Sequence, residues 1–278
     1  MTAPRERNAN VRLLACLIDE DDEDDSDYRF VVDEKHVKYV CTAPYTFLGA
    51  EGDRTFEQVL LSELFPPFPA GDWNRGHAAR DPETGEATFV RTEKVQFAGV
   101  KNVWHPVKLN ELDFTRVDRL RQRVHVSTHP RVNGGKPVLV KLAVWPWDIP
   151  YMEMETTAYQ WLNNSGVGPK FLGHLTEGKD GRVIGLVAEW VEGARAAGPA
   201  DIDGCRKALG RLHELGIKLG DVKKHNFLVR DGYDVVLVDF ETAKRDCPPS
   251  ELEDEMSALQ SNLEDTSYLG GVELGVYE

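Results

Sequence analysis

The chain has 278 residues, of which 41% are hydrophobic, 29% charged and 9% aromatic. That composition is enough for a buried core without staples and argues against a disordered chain. The formal charge of −14 at pH 7 repels nucleic acid and anionic lipid at long range, so neither is an expected partner.

Cys16, Cys41, Cys205 and Cys247 form no CxxC pair, so reduced thiols and a cytoplasmic location are expected, with the nucleus left open. In chain order, residues 11–18, 28–32 and 36–42 are rich in β-branched and aromatic side chains and read as strands. The first run is too short, and too soon followed by acid, to span a bilayer. Residues 19–27, DEDDEDDSD, form a block of like charge and are expected to be a solvated loop. Leucine and phenylalanine at helical spacing predict a short helix over residues 55–65, stopped by Pro66 and Pro67. The rest of residues 43–87 is expected to be loop.

Strand character returns over residues 87–103 and 119–127, and Asn133-Gly134-Gly135 marks a tight turn. A strand at 137–144 precedes a helix from about 150 to 166 with Met154, Ala158, Trp161 and Leu162 on its inner face. A buried strand is expected at 183–191. The helix at 203–215 should bury Cys205, Ala208, Leu209, Leu212 and Leu215. Strands at 227–229 and 235–238 flank a turn at Arg230-Asp231-Gly232. The last helix starts behind Pro248-Pro249, with Ser250 and Glu253 as a capping box and Leu252, Met256, Leu259 and Leu263 facing inward.

The chemistry concentrates in residues 212–244, LHELGIKLGDVKKHNFLVRDGYDVVLVDFETAK. Asp221 and Asn226 stand in a D-x4-N pattern on a loop, a hairpin follows, and Asp239-Phe240-Glu241 comes directly after an apolar strand. Thirteen positions separate Asn226 from Asp239, the distance a short hairpin needs to return two oxygen ligands to one metal ion. This arrangement resembles the catalytic and metal loops of the protein-kinase superfamily.

The resemblance implies ATP and Mg²⁺ as cofactors, with Asn226 and Asp239 as metal ligands. Asp221 would accept the proton of an attacking hydroxyl, and Lys223 would stand against the transferring phosphate. Lys141 in VLVKLA resembles the lysine that holds the α- and β-phosphates. Glu155 resembles its ion-pair partner, with Glu153 the competing choice; Glu155 shares a helical face with Ala158 and Leu162. The run GLVAEWVEG, residues 185–193, resembles the hinge between two lobes. There the backbone of Glu189 and Val191 would meet the adenine edge, and Ala188 would guard the pocket.

The expected fold is therefore α+β: a two-lobed, protein-kinase-like domain over residues 101–278, with an N-lobe at 101–188, a hinge at 189–193 and a truncated helical C-lobe at 194–278. Residues 1–100 form a β-rich extension of unassigned role. Small atypical members are the nearest parallel, among them RIO-like kinases, lipopolysaccharide kinases and aminoglycoside phosphotransferases. Short fungal kinase-like proteins are another, through GVGPKFLGHL and LGDVKKHNFLV.

Three departures stand out. Residues 112–122 contain no glycine, Leu219 takes the usual histidine position, and Glu241 takes that of the DFG glycine. The expected function is ATP- and Mg-dependent phosphoryl transfer to an unidentified hydroxyl or similar acceptor, on a small molecule or a protein. The alternatives are a nucleotide- or partner-binding module without turnover and another nucleotide-dependent transfer such as adenylylation.

Overall fold

Alternation along the strands builds the first half of the chain. The computed structural model describes residues 7–48, 53–230 and 234–265, and the expected turn at 231–232 lies outside them. The chain divides into two units, Met1–Phe97 and Ala98–Glu278.

In the first unit β1 (Val11–Leu17), β2 (Ser26–Val32), β3 (His36–Thr42), β4 (Arg75–Arg80) and β5 (Ala87–Glu93) form one sheet in sequence order. All neighbours are antiparallel except β3 and β4. The period of two sends Tyr28 and Phe30 to one face, where Phe47, Phe65, Phe68, Trp73 and Phe89 build an aromatic core around them. Helix α1 (Glu57–Val59) runs on as π-helical Leu60–Leu64 and stops before Pro66.

Two expectations for this unit change. β4, RGHAAR, lies inside the stretch expected to be loop; it carries no large apolar side chain to signal a strand. At its Gly76 a Cβ would stand 3.0 Å from both Phe89 and Trp73, so the rings occupy the space a side chain would need. β5 ends at Glu93 instead of running to 103. Beyond it Val95 pairs with the Asn74 side chain, N to Oδ1 at 2.8 Å and Nδ2 to O at 2.9 Å. The acidic loop is also more ordered than its charge suggests. Asp19 Oδ2 accepts the N–H groups of Glu23 and Asp24, and a largely buried Arg54 holds Asp22 through two 3.0 Å hydrogen bonds.

The second unit is built on β6 (Lys108–Asn110), β7 (Thr115–Arg121), β8 (Val124–Thr128), β9 (Val138–Leu142), β10 (Phe171–Thr176) and β11 (Val183–Glu189), in the order β6-β10-β11-β9-β8-β7. A hairpin with the two-residue turn Gln122-Arg123 replaces the single strand expected at 119–127. Helix α2 (Ile149–Trp161) packs on β11. Its buried stripe is Met152, Glu155, Thr156, Ala158 and Tyr159, while Met154 is exposed.

Beyond β11, the short strand β12 (Arg195–Ala196) precedes α3 (Ile202–His213) and β13 (Ile217–Lys218). The hairpin β14 (Phe227–Arg230) and β15 (Asp234–Leu237) pairs with β12, and β16 (Lys244–Arg245) pairs with β13. Helix α3 packs on β15 and on α4 (Pro249–Glu264). Leu215 falls past the end of α3 and is exposed. No side chain caps α4, whose N-cap is Pro248, so the Ser250 and Glu253 box does not form. The architecture is mixed α+β, and among the described residues no helix is long and apolar enough to cross a membrane.

Candidate functional site

Lys141 is the penultimate residue of β9, opposite Leu186 of β11. Its stem is buried, and the ammonium meets three carboxylates. Glu155 Oε2 of α2 lies at 2.7 Å, Asp239 Oδ1 just past β15 at 2.6 Å, and Glu241 Oε2 at 3.4 Å. Glu155 is 3% exposed and Lys141 6%, so this pair is interior, while the partly exposed Asp239 and Glu241 form the open side of the cluster. Glu153 points elsewhere: its carboxylate accepts the backbone N–H groups of Lys101 and Asn102.

Burial works against the Lys141 charge, but the combined attraction of Glu155, Asp239 and Glu241 outweighs it and holds the pKa above the ordinary lysine range. Burial pushes the Glu155 carboxyl up; Lys141 opposes this, while Asp239 and Glu241 add repulsion in the same sense as burial. Burial also drives the phenol of Tyr159, one turn along α2, well above its usual range.

The loop carrying Asp239 is pinned from both sides. Asp239 itself adopts a left-handed backbone, φ 64°, a conformation that aspartate tolerates better than most residues but that still carries strain. Phe240 is fully buried, packs edge-on against Tyr159 with ring centroids 5.4 Å apart, and fills the space beside Gly168, where a Cβ would stand 2.9 Å from the ring. Thr242 Oγ1 donates to the Leu219 carbonyl.

Gly220, at φ +87°, approaches the same threonine so closely that a Cβ would lie 2.5 Å from the Thr242 carbonyl oxygen. Leu219 and Gly220 are held from below by Glu255 of α4. Its Oε2 accepts from Leu219 N at 3.0 Å and meets His213 Nε2 at 2.8 Å, while Oε1 accepts from Gly220 N at 2.7 Å.

Asp221 follows directly and is half-buried, with Lys223 Nζ 3.4 Å from its Oδ2. Asn226 is buried, and its Nδ2 donates to the Asp221 carbonyl at 2.9 Å. This commits the amide nitrogen and leaves Oδ1 as the acceptor. Val238 N donates to the Asn226 carbonyl at 3.0 Å, so the hairpin β14–β15 brings Asn226 beside the residue preceding Asp239. Among the described residues no hydrogen bond or ion pair joins the Asp221 or Asn226 side chain to Asp239 or Lys141.

At the end of β11 the Glu189 N–H is spent on the Lys170 carbonyl. Val191 is buried, and its N–H makes no hydrogen bond among the described residues.

Arg123, in the β7–β8 turn, is a residue that sequence reasoning passed over. Its carbonyl accepts Leu142 N, which sets the turn over the end of β9, and its guanidinium stands 3.4 Å from Asp148 and 3.5 Å from Glu241. Glu255 was missed as well, since a glutamate in an acidic helix gives no sign of burial. The donor oxygens of Glu155, Asp239 and Glu241 all lie within 4.8 Å of one another. Glu241 Oε2 is shut off from solvent, with its two cations only at the long distances above. No protein-family model matches the chain. A comparison with curated proteins likewise finds no match.

Proposed function

We propose that the Ala98–Glu278 unit is a small kinase-like phosphotransferase that binds a magnesium–nucleoside triphosphate. The observation that carries this reading is the buried ammonium of Lys141, shared between Glu155 on a helix and Asp239 on a loop that Thr242 ties to Leu219, two residues before Asp221. A lysine held this way is positioned for phosphate oxygens, and the loop ties keep the two aspartates in fixed register.

The donors suit magnesium, because Asp239, Glu241 and the Asn226 Oδ1 are all hard oxygens, and Glu241 Oε2 is a buried acceptor without a close partner. Bound magnesium would neutralise charge on the phosphates. Asp239 and Asn226 would hold it, and Lys141 would turn from Asp239 toward the phosphate chain. Arg123 would bring a guanidinium where a glycine loop would offer backbone amides. The Val191 N–H, which makes no hydrogen bond among the described residues, would read a base edge together with the Glu189 carbonyl. Asp221 would take the proton as the acceptor oxygen bonds to the terminal phosphorus and the nucleoside diphosphate leaves, with Lys223 beside the moving phosphoryl group.

The test is incubation with magnesium-ATP, with and without cell extract as acceptor source, followed by resolution of the nucleotide products. ADP with a phosphorylated acceptor supports transfer, and AMP with pyrophosphate assigns the site to nucleotidyl transfer. Binding without turnover assigns it to a nucleotide-sensing module, a reading favoured by the direct 2.6 Å contact of Lys141 with Asp239. Absence of nucleotide binding removes the proposal.

A further inference from the structure

The Met1–Phe97 unit holds a second cluster that the phosphotransfer reading does not use. Asp27, Cys41 and His77 sit side by side across β2, β3 and β4, since Asp27 pairs with Cys41 in the antiparallel ladder and Cys41 pairs with His77 in the parallel one. Register partners on neighbouring strands project to the same side, here the face away from the aromatic core. Asp25, at the end of the acidic loop, reaches onto this row, with its Oδ2 3.0 Å from Cys41 Sγ. One donor atom each from Asp25, Cys41 and His77 lie mutually within 4.8 Å.

Sulfur, imidazole nitrogen and carboxylate oxygen drawn from three separate chain segments form the ligand set of a borderline transition ion, not of magnesium or calcium. We infer that Asp25, Cys41 and His77 bind a zinc-class divalent cation, with water or Asp27 completing the tetrahedron. The rigid part of the site is the β3–β4 ladder, which fixes Cys41 against His77. The adjustable part is Asp25, which is exposed and can move from the thiol to the metal.

The negative charge around the row favours a cation, while burial keeps the thiol protonated until a metal displaces its proton. Burial first, and then the hydrogen bond and charge of Asp25, push the Cys41 thiol up to about 12, so it is protonated in the free protein. Burial, with Asp25 beside it, raises the Asp27 carboxyl, and the nearby Arg75 lowers both groups. Two carboxylates facing one arginine leave an excess of negative charge, and the acidic run that ends at Asp25 extends it, which favours a divalent cation. As the sulfur–metal bond forms, the thiol proton passes to solvent, so affinity rises with pH.

Cobalt(II) titration of the full chain under reducing conditions tests this. One equivalent should produce a thiolate-to-cobalt charge-transfer band, a signature that the all-oxygen cluster at Lys141 cannot give, and zinc should displace it. Cys41→Ser should abolish the band, and His77→Gln should weaken zinc binding by roughly tenfold or more, the loss expected for a missing ligand. Both variants should keep the far-UV spectrum of the wild type, because neither side chain lies in the aromatic core. Absence of the band in the folded wild type, or its survival in Cys41→Ser, overturns the assignment.

Discussion

The Glu255 Oε1 stands 2.7 Å from the Gly220 nitrogen, so the last described helix holds the backbone one residue before Asp221. The carboxylate is buried, and burial alone would raise its pKa. His213 and the backbone N–H groups of Gly220 and Leu219 outweigh that and hold it below the usual 4.5. A depressed carboxylate stabilises the fold above its unfolded pKa and loses that contribution as pH falls through its folded one. Stability should therefore decline below about pH 4.5 more steeply in the wild type than in Glu255→Gln. At neutral pH Glu255→Ala should cost about 2–3 kcal/mol, in line with the loss of charged hydrogen bonds. Urea unfolding across pH checks both.

Removing Lys141 should harm the fold as well as the site. A lysine at the mouth of a cleft would be dispensable for folding, but Lys141 is buried against Glu155, which has little water to fall back on. Lys141→Met should destabilise the protein by roughly 3–5 kcal/mol, the cost of an unpaired buried charge. Lys141→Met with Glu155→Gln should recover much of it. An additive double variant in denaturant titrations would show that the two do not act as a pair.

The two aspartates have separable roles under the proposed function. Asp239→Asn should weaken binding of metal and nucleotide together, because it removes a hard anionic ligand. Asp221→Asn should leave nucleotide affinity within a few-fold and lower turnover by roughly 10²–10⁴. Calorimetry with magnesium-ATP, alongside product analysis, reads each effect independently. Unchanged turnover in Asp221→Asn would reassign the unit to binding alone.

Arg123→Gln offers a third separation. If the guanidinium faces phosphate, affinity for the triphosphate should fall roughly tenfold or more, as for one charge-assisted contact. Affinity for adenosine, which carries no phosphate, should stay the same. Equal losses for both ligands would mean that Arg123 shapes the pocket without touching the phosphates.

The sequence was informative where periodicity and chemistry coincide. Lys141 stands out as one charge in an apolar strand, Glu155 follows from helical phase, and the strands carrying Tyr28, Phe30 and Tyr39 announce themselves by side-chain type. It was silent where charge is buried for a purpose. Glu255 looks like any solvent-facing glutamate of an acidic helix, and α2 hides its inner face because that face includes Glu155 and Thr156 while Met154 turns outward. Small residues conceal β4 for the opposite reason, since its Gly76 and Ala78 are chosen for the rings beside them and not for their own apolar area. Arg123 is legible only once β7 and β8 are seen to form a hairpin whose turn overhangs Lys141.

The charges around Lys141 do not balance. Lys141 and Arg123 face Glu155, Asp239, Glu241 and Asp148, so two cations meet four carboxylates and, when all are ionised, two negative charges remain. A polyphosphate arriving alone would meet repulsion, and one arriving with its divalent ion would not. Under the proposed function the site would therefore act as a filter on the order of arrival. Metal-free nucleotide should compete poorly with the metal complex, and excess free magnesium should promote binding even before any chemistry begins.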